Sequence, residues 1–325
     1  MPKVSVIVPI FKAEPYIDRC ASSILSQTLD DLEILFIDDC TPDNSIEILK
    51  NTIAKFPERA DAVRIIKMPA NSGLTAVRWR GIIEASGDFI IHCDSDDWVD
   101  SNLYELMYNE AIRSDADVVV CPIRDEYQNG GHTRPSRSLP ASCNDVVCNW
   151  WRDSVGMFCW NKMVRRRIYT VHDIKPFIGI NMWEDNGLML RVFYHAGRLS
   201  QINGAVYHYN RANVNAMTSG YGRNAVDQMI KCASLLADFF DSKPDAARYR
   251  KTALTLKFLA KLNLVATRYD WLREFHHLFP ESNVAAGWIS LDAFSTKGKL
   301  RFIFVKYHLA WLFVTLFKLK AALKL

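Results

Sequence analysis

The feature that most restricts the fold is a strand-then-helix unit repeated through the first hundred residues. Val4 to Val8 is a β-branched run stopped by Pro9, and residues 15–28 follow as an amphipathic helix. Leu32 to Ile37 is a second apolar run, after which Pro42-Asp43-Asn44-Ser45 opens another helix with cap-type residues. Val63 to Ile66 reads as a short strand, Asn71-Ser72-Gly73 as a turn and 74–85 as a helix. Ser86-Gly87-Asp88 then turns the chain into a strand over 89–93. Strands of this length between longer helices predict a mostly parallel, Rossmann-like sheet covered on both faces.

That arrangement gathers the polar residues in one place. Phe11 and Glu14, Asp38 and Asp39, Asn71, and the run Asp94-Ser95-Asp96-Asp97 all follow the carboxyl ends of successive strands, where open α/β sheets bind ligands. Three carboxylates in four positions repel one another unless a hard cation shares them, and Mg²⁺ or Mn²⁺ held this way commonly also holds substrate phosphates. The competing account of the cluster is an acidic turn capping a helix that starts near Asp100.

In order along the chain, residues 4–11, 23–28, 36–45, 71–78 and 94–98 resemble the signatures of family 2 glycosyltransferases with the GT-A fold. The resemblance implies that Pro9, Phe11 and Asp39 surround the nucleotide base, with Asp39 accepting from a uracil imide. It places Asp38 and Asp94 near the nucleoside and makes Asp96 the direct metal ligand. Glu14 and Ser95 join this donor set, and Asn71, Gly73 and Arg78 match the segment that closes over the donor. The chain departs from the commonest pattern at Cys40, where Gly is frequent, at Trp79, where Asn is frequent, and at His92-Cys93.

Breaking a sugar–phosphate bond builds charge on the leaving diphosphate, and the acceptor hydroxyl must lose a proton as it attacks. Trp183-Glu184-Asp185-Asn186-Gly187, just before the apolar run Leu188 to Val192, resembles the family's acidic pair ahead of the acceptor-site helix. That similarity implies Asp185 as general base, with Glu184 as the second choice and Trp183 on the acceptor side. Acids at a helix start also serve as caps. Trp160 and Lys162 lie in a segment resembling one beside the acceptor site. Stacking on a sugar and meeting a phosphate compete there with plain packing. His208 and Arg211 pose the same choice, since an alternating aromatic strand over 207–211 explains them equally.

Eight scattered cysteines with no Cys-x-x-Cys pair read as reduced thiols, and Cys143, Cys148 and Cys159 are too irregularly spaced to suggest zinc. The first strand starts almost at the N-terminus, so no signal peptide is expected and the reading is cytoplasmic. After Asp292 there are seven basic residues and no acid, more than the whole net charge of +4. Phe302 to Phe317 is nearly all apolar but short of a span. A segment lying on an anionic membrane surface through 297–325 is therefore expected, at the inner face of the plasma membrane, with packing on the protein or in a homodimer as the alternative.

These readings give an inverting glycosyltransferase of 325 residues, acting on a UDP-sugar or other nucleotide-diphospho-sugar with Mn²⁺ or Mg²⁺. The acceptor would be a hydroxyl of a glycan or lipid-linked glycan in surface polysaccharide synthesis, and no nucleic-acid partner is expected. Residues 1–122 form the donor half and 123–225 the acceptor half of a GT-A domain, and 226–325 a helical C-terminal region. Two other classes stay open: a nucleotidyltransferase, although no Gly-rich phosphate loop follows the first strand, and a non-catalytic nucleotide-sugar-binding scaffold.

Overall fold

The computed structural model describes residues 1–135, 138–152, 155–213, 222–267, 272–290, 296–306 and 315. Eleven strands fall into two sheets. The first contains β1 (Val4–Ile10), β2 (Leu32–Asp38), β3 (Val63–Lys67), β4 (Phe89–His92), β6 (Val118–Val120), β9 (Lys162–Arg165) and β10 (Leu199–Gln201), in the order β10-β6-β9-β4-β1-β2-β3. The second contains β5 (Trp98–Val99), β7 (Ile123–Tyr127), β8 (Gly130–Thr133) and β11 (Tyr207–Asn210), in the order β5-β11-β7-β8.

Strands β1 to β4 pair in parallel, with Val4 opposite both Leu32 and Phe89. Helices over Ile17–Leu25, Ser45–Ile53 and Leu74–Glu84 make the crossovers between them. β2 is buried along its whole length, as a strand covered on both faces must be, and even Glu33 is inside. Its carboxylate accepts from the hydroxyls of Ser5 at 2.5 Å and Ser86 at 3.0 Å.

The expected parallel sheet carries three strands the reading did not name, β6, β9 and β10. β9 enters antiparallel between β4 and β6, so residues expected only to border an acceptor site hold the middle of the sheet. Met163-Val164 is too short an apolar run to show a period, and Lys162 on its edge is fully buried.

The chain divides into two compact units, 1–146 with 154–216, and 147–153 with 217–325. The division gives a short internal piece to the helical unit, where the Val147 carbonyl accepts from the Thr252 hydroxyl at 3.1 Å.

In the helical unit, Arg223–Asp241 packs against Ala246–Thr267, and Phe240 stacks on Tyr249 at 5.1 Å. A second cluster joins Phe258, Leu262, Phe275 and Ile289 to Phe302 and Val305 of the helix Thr296–Lys306. The opening of the tail expected to lie on a membrane is thus packed core in this unit. Lys318, Lys320 and Lys324 lie outside the described residues. Among the described residues no helix is long and apolar enough to cross a membrane.

Gly81 shows how tightly the helix Leu74–Glu84 sits on β1, since a Cβ there would lie 2.3 Å from Cγ2 of the fully buried Ile7. Overpacking of this kind costs about 1–3 kcal/mol, which outweighs the ~1 kcal/mol gain of replacing glycine in a helix. Gly81→Ala should therefore lower the urea midpoint, and the Ile7→Ala/Gly81→Ala pair should be less destabilised than the sum of the single changes.

Candidate active site

The site is assembled at the carboxyl ends of β1, β2 and β4. Asp39, just past β2, is 4% exposed and binds the following loop, its two carboxylate oxygens accepting from the Ser72 and Gly73 amides at 2.7 and 2.9 Å. Asn71 donates to the Asp39 carbonyl at 3.2 Å. Asp38 accepts from the Thr41 amide at 2.8 Å and so closes the turn. Cys40 between them has φ +54°, which explains why glycine suits this position. Gly73, at φ +82°, faces Asn181, whose side-chain oxygen accepts from the Thr75 amide at 3.1 Å.

Phe11 is 44% exposed beside this loop, as a side chain offered to a base would be, and Pro9 lies in β1 opposite Ile37. Glu14 is otherwise engaged. Its carboxylate accepts from the backbone and side-chain amides of Asn44 at 3.0 and 3.1 Å, a cap on the helix Ser45–Ile53, and this replaces the donor role expected for it.

The acidic run after β4 separates into two kinds of carboxylate. Asp97 is fully buried, its Oδ2 accepting from the Tyr207 hydroxyl and its Oδ1 from the Asn210 amide, both at 2.7 Å. Burial, then the charges of Asp96 and Asp94, push its pKa well up. Asp97 is thus a fastener between the run and β11.

Asp94 and Asp96 remain for ligand chemistry, with Ser95 half-buried between them. Asp96 accepts from the Asn213 side chain at 2.7 Å, and its pKa is raised by burial and by Asp94. That unmet repulsion between two hard oxygen donors fits a divalent cation. Among the described residues no three acids, cysteines or histidines close round one point. Such a site suits an ion that completes its shell with water and phosphate.

Arg78 connects this donor edge to the second acidic pair. Its guanidinium is 1% exposed, donates to Asp94 at 2.9 Å and stands 3.7 Å from Glu184. Burial alone would lower its pKa, but the surrounding anions, Asp94 first and then Asp185 and Glu184, more than reverse this. Its Nε and Nη1 have no hydrogen-bond partner among the described residues, and neither ring nitrogen of the buried His92 has one. Burial and then Arg78 push the His92 pKa well down, so the imidazole is neutral.

Glu184 and Asp185 begin the helix Glu184–His195, entered through Trp183 at φ +67°. Asp185 accepts from the Cys159 amide at 3.1 Å. Both acids are raised by burial. At Glu184 the charge of Asp185 adds to this and the pKa reaches about 8, and at Asp185 Arg78 and the Cys159 bond oppose the rise.

Four expected acceptor residues are used differently. Trp160 is 3% exposed and stacks on Phe158, Tyr207 and Tyr209 at 4.8, 4.4 and 5.1 Å, so its faces are taken by protein rings. The Lys162 ammonium is buried and donates to the Phe158 carbonyl at 2.7 Å and to Asn161 at 2.6 Å. His208 sits between Glu126 and Asp100 at 2.7 and 3.0 Å and stacks on Trp98. Arg211 donates through Nε to Asp125 at 2.8 Å. Sequence reasoning gave no role to Asn181 and Asn213, and it read Tyr207 and Asn210 only as part of the aromatic strand over 207–211.

The profile of glycosyl transferase family 2 matches residues 5–172. This chain belongs to that family. It is a glycosyltransferase with a mostly parallel GT-A sheet flanked by helices, and the nucleotidyltransferase and scaffold readings give way to that membership. Putative glycosyltransferase EpsH of Bacillus subtilis (strain 168) is 29% identical over 257 residues, covering 77% of this chain and 72% of that protein. Among solved structures, S. aureus TarS 1-349 in complex with UDP-GlcNAc superposes with TM-score 0.68 at 16% identity, over 95% of this chain and 88% of that one. The mannosyltransferase PcManGT from Pyrobaculum calidifontis, in complex with GDP-Man and Mn²⁺, gives 0.52 at 14% identity, over 95% and 87%. At such identities the likeness establishes the fold.

The raised Glu184 pKa has a measurable consequence. Between pH 4.5 and about 8 the unfolded chain has released this proton while the folded chain still holds it, so Glu184 costs stability as pH rises. The slope contributed approaches about 1.4 kcal/mol per pH unit for one proton. Glu184→Gln should flatten the fall in stability across that window in urea titrations at stepped pH.

Proposed function

We propose that this glycosyltransferase inverts configuration while moving a sugar from a UDP-sugar to a hydroxyl of a glycan or lipid-linked glycan in surface polysaccharide synthesis. The observation that carries the reading is the meeting of Asp94, Glu184 and Asp185 around one buried guanidinium, which sets the donor edge beside a candidate base. Asp185 is that base: burial raises both acids, to about 8 at Glu184, and at Asp185 the Arg78 charge and the Cys159 amide oppose the rise. The acceptor proton passes to Asp185 as the acceptor oxygen attacks. Phe11 and the loop held by Asp39 receive the base, and Asp94 and Asp96 would hold Mn²⁺ or Mg²⁺, which would supply positive charge to the departing nucleoside diphosphate. Glycan synthesis at the inner face of the membrane, reached through the basic tail after Asp292, completes the proposal.

Incubating the enzyme with single UDP-sugars and a divalent ion, and separating free UDP from intact donor, tests the reaction class. Release of UDP supports it and inert donors throughout would refute it. Asp185→Asn should lose at least ~10³ in transfer, within the range for a general base with its supporting electrostatics, and keep UDP affinity by calorimetry. Asp96→Ala should lose comparable activity together with metal-dependent UDP binding. If Glu184→Gln is the more damaging change at equal UDP affinity, the assignment of the base is wrong. Removing residues from 307 onward, beyond the packed Phe302 and Val305, should abolish flotation with anionic vesicles if the tail binds lipid.

A further inference from the structure

The helix Leu74–Glu84 begins without a cap of its own. Its N-cap is Gly73, which has no side chain to accept from the free amides of the first turn, and its φ is +82°. The missing acceptor comes from far along the chain. Asn181 Oδ1 takes the Thr75 amide at 3.1 Å, the bond that an N-cap side chain makes to the second helical residue. Thr75 is fully buried, and its hydroxyl donates to the same oxygen at 3.2 Å while accepting from the Gly179 amide at 3.2 Å. Gly73 leaves room for this arrangement. A Cβ there would stand 2.7 Å from Asn181 Nδ2, so the bare N-cap and the distant cap fit each other.

Asn181 belongs to the segment that enters the helix Glu184–His195. The start of that segment is fixed to the helix it leads into, where Arg191 donates to the Lys175 carbonyl at 2.5 Å and lies over the Phe177 ring at 4.0 Å. Its end is fixed to the donor side twice. Asn181 meets Thr75 and Glu184 approaches Arg78 at 3.7 Å, so the two ties fall one turn apart on one face of the helix Leu74–Glu84. Between them stands Trp183 at φ +67°, a left-handed conformation that a bulky residue keeps only where its surroundings impose it. Asp185 follows two residues later. The location of the candidate base therefore depends on a strained turn, and Asn181 is the last tie before the strain.

We propose that Asn181 is a positioning residue for transfer: by capping the donor-side helix it holds the turn at Trp183 and so sets Asp185 against the donor edge. The proposal rests on the assignment of Asp185 as base. A cap serving only its own helix is ordinarily supplied by the N-cap residue itself. Supplied from 181, the same bond joins the loop that Asp39 holds through Ser72 and Gly73 to the approach of the acid pair. Such a tie matters for rate, because a misplacement of ~1 Å at reacting groups costs about a hundredfold.

The test compares the full chain with Asn181→Ala and with Asn181→Asp, which keeps an acceptor oxygen for the Thr75 amide. Hydrogen exchange needs no substrate. In Asn181→Ala the amides of 74–77 and of 183–187 should both exchange faster, by roughly two- to thirtyfold, the scale of a lost cap. Asn181→Asp should restore most of the protection. With Mn²⁺ and UDP-glucose, UDP-galactose or UDP-GlcNAc, kcat for UDP release should fall about ten- to a hundredfold in Asn181→Ala, while donor KM and calorimetric UDP affinity stay parental. The Asn181→Ala/Asp185→Asn pair should be no slower than Asp185→Asn alone, because the cap acts through the base. Parental exchange at 183–187 in Asn181→Ala overturns the proposal, and so does a loss of UDP affinity that matches the loss of kcat, or losses that multiply in the double variant. An Asp185→Asn enzyme as fast as the parent overturns the base assignment instead, and is told apart by an exchange pattern that still follows Asn181. Circular dichroism excludes unfolding, and Thr75→Val, which keeps the amide bond and removes only the hydroxyl, is a milder second variant with the same expected direction.

Discussion

The site depends on one buried charge. Arg78 stands on the helix that crosses from β3 to β4, nearly without exposure, and its desolvation is tolerable only because Asp94 and Glu184 approach it from different elements. Breaking such a pair by removing one partner typically costs about 3–5 kcal/mol, because an uncompensated charge stays inside. The same requirement brings the strand-end acid and the helix-start acid together. The cation also opposes, at both Glu184 and Asp185, the rise in pKa that burial causes.

The small second sheet fixes the other half of the geometry. β5 follows the acidic run directly and pairs with β11 through Val99 and Tyr207. Tyr207 donates to Asp97 and accepts from the Asp94 amide at 3.0 Å, while Asn210 binds Asp97 and the Asp96 carbonyl. The backbone at Asp94 and Asp96 is thus pinned to β11 on both sides of the run. Trp160 supports this from below by stacking on Tyr207, and its burial is better explained by that support than by a sugar partner.

The parallel strands and the residues at their ends were legible because burial on both faces produces apolar runs that need no partner to be recognised, and because strand ends are read directly off those runs. Cys40 and Asp39 followed from the same motif. What was not legible depends on contacts distant in sequence. Lys162 on the primary structure is open to a phosphate or to plain packing, and two acceptors hold its ammonium. Glu14 sits where a ligand residue would, and only the fold shows Asn44 waiting for it. Asn181 reaches Thr75 across a hundred residues with no pattern to announce it. The start of the tail misled for a further reason: a mixed basic and apolar stretch looks alike whether Phe302 enters lipid or packs on Phe258, and here the rings meet at 6.0 Å.

His92 shows how a departure from the common motif is absorbed. A histidine one strand residue before the acidic loop puts a titratable ring under the site, where a second positive charge beside Arg78 would be costly. Complete burial and that same guanidinium keep the imidazole neutral, so it adds volume and polarity without charge. Its two nitrogens and the two unpaired nitrogens of Arg78 form a buried polar patch whose hydrogen bonds are unmade among the described residues. Such a patch costs free energy in the unliganded fold. His92 lies within β4 and Arg78 is 1% exposed, so both are enclosed by the fold. The ring is therefore better understood as a packing member that tolerates the cation than as a participant in transfer.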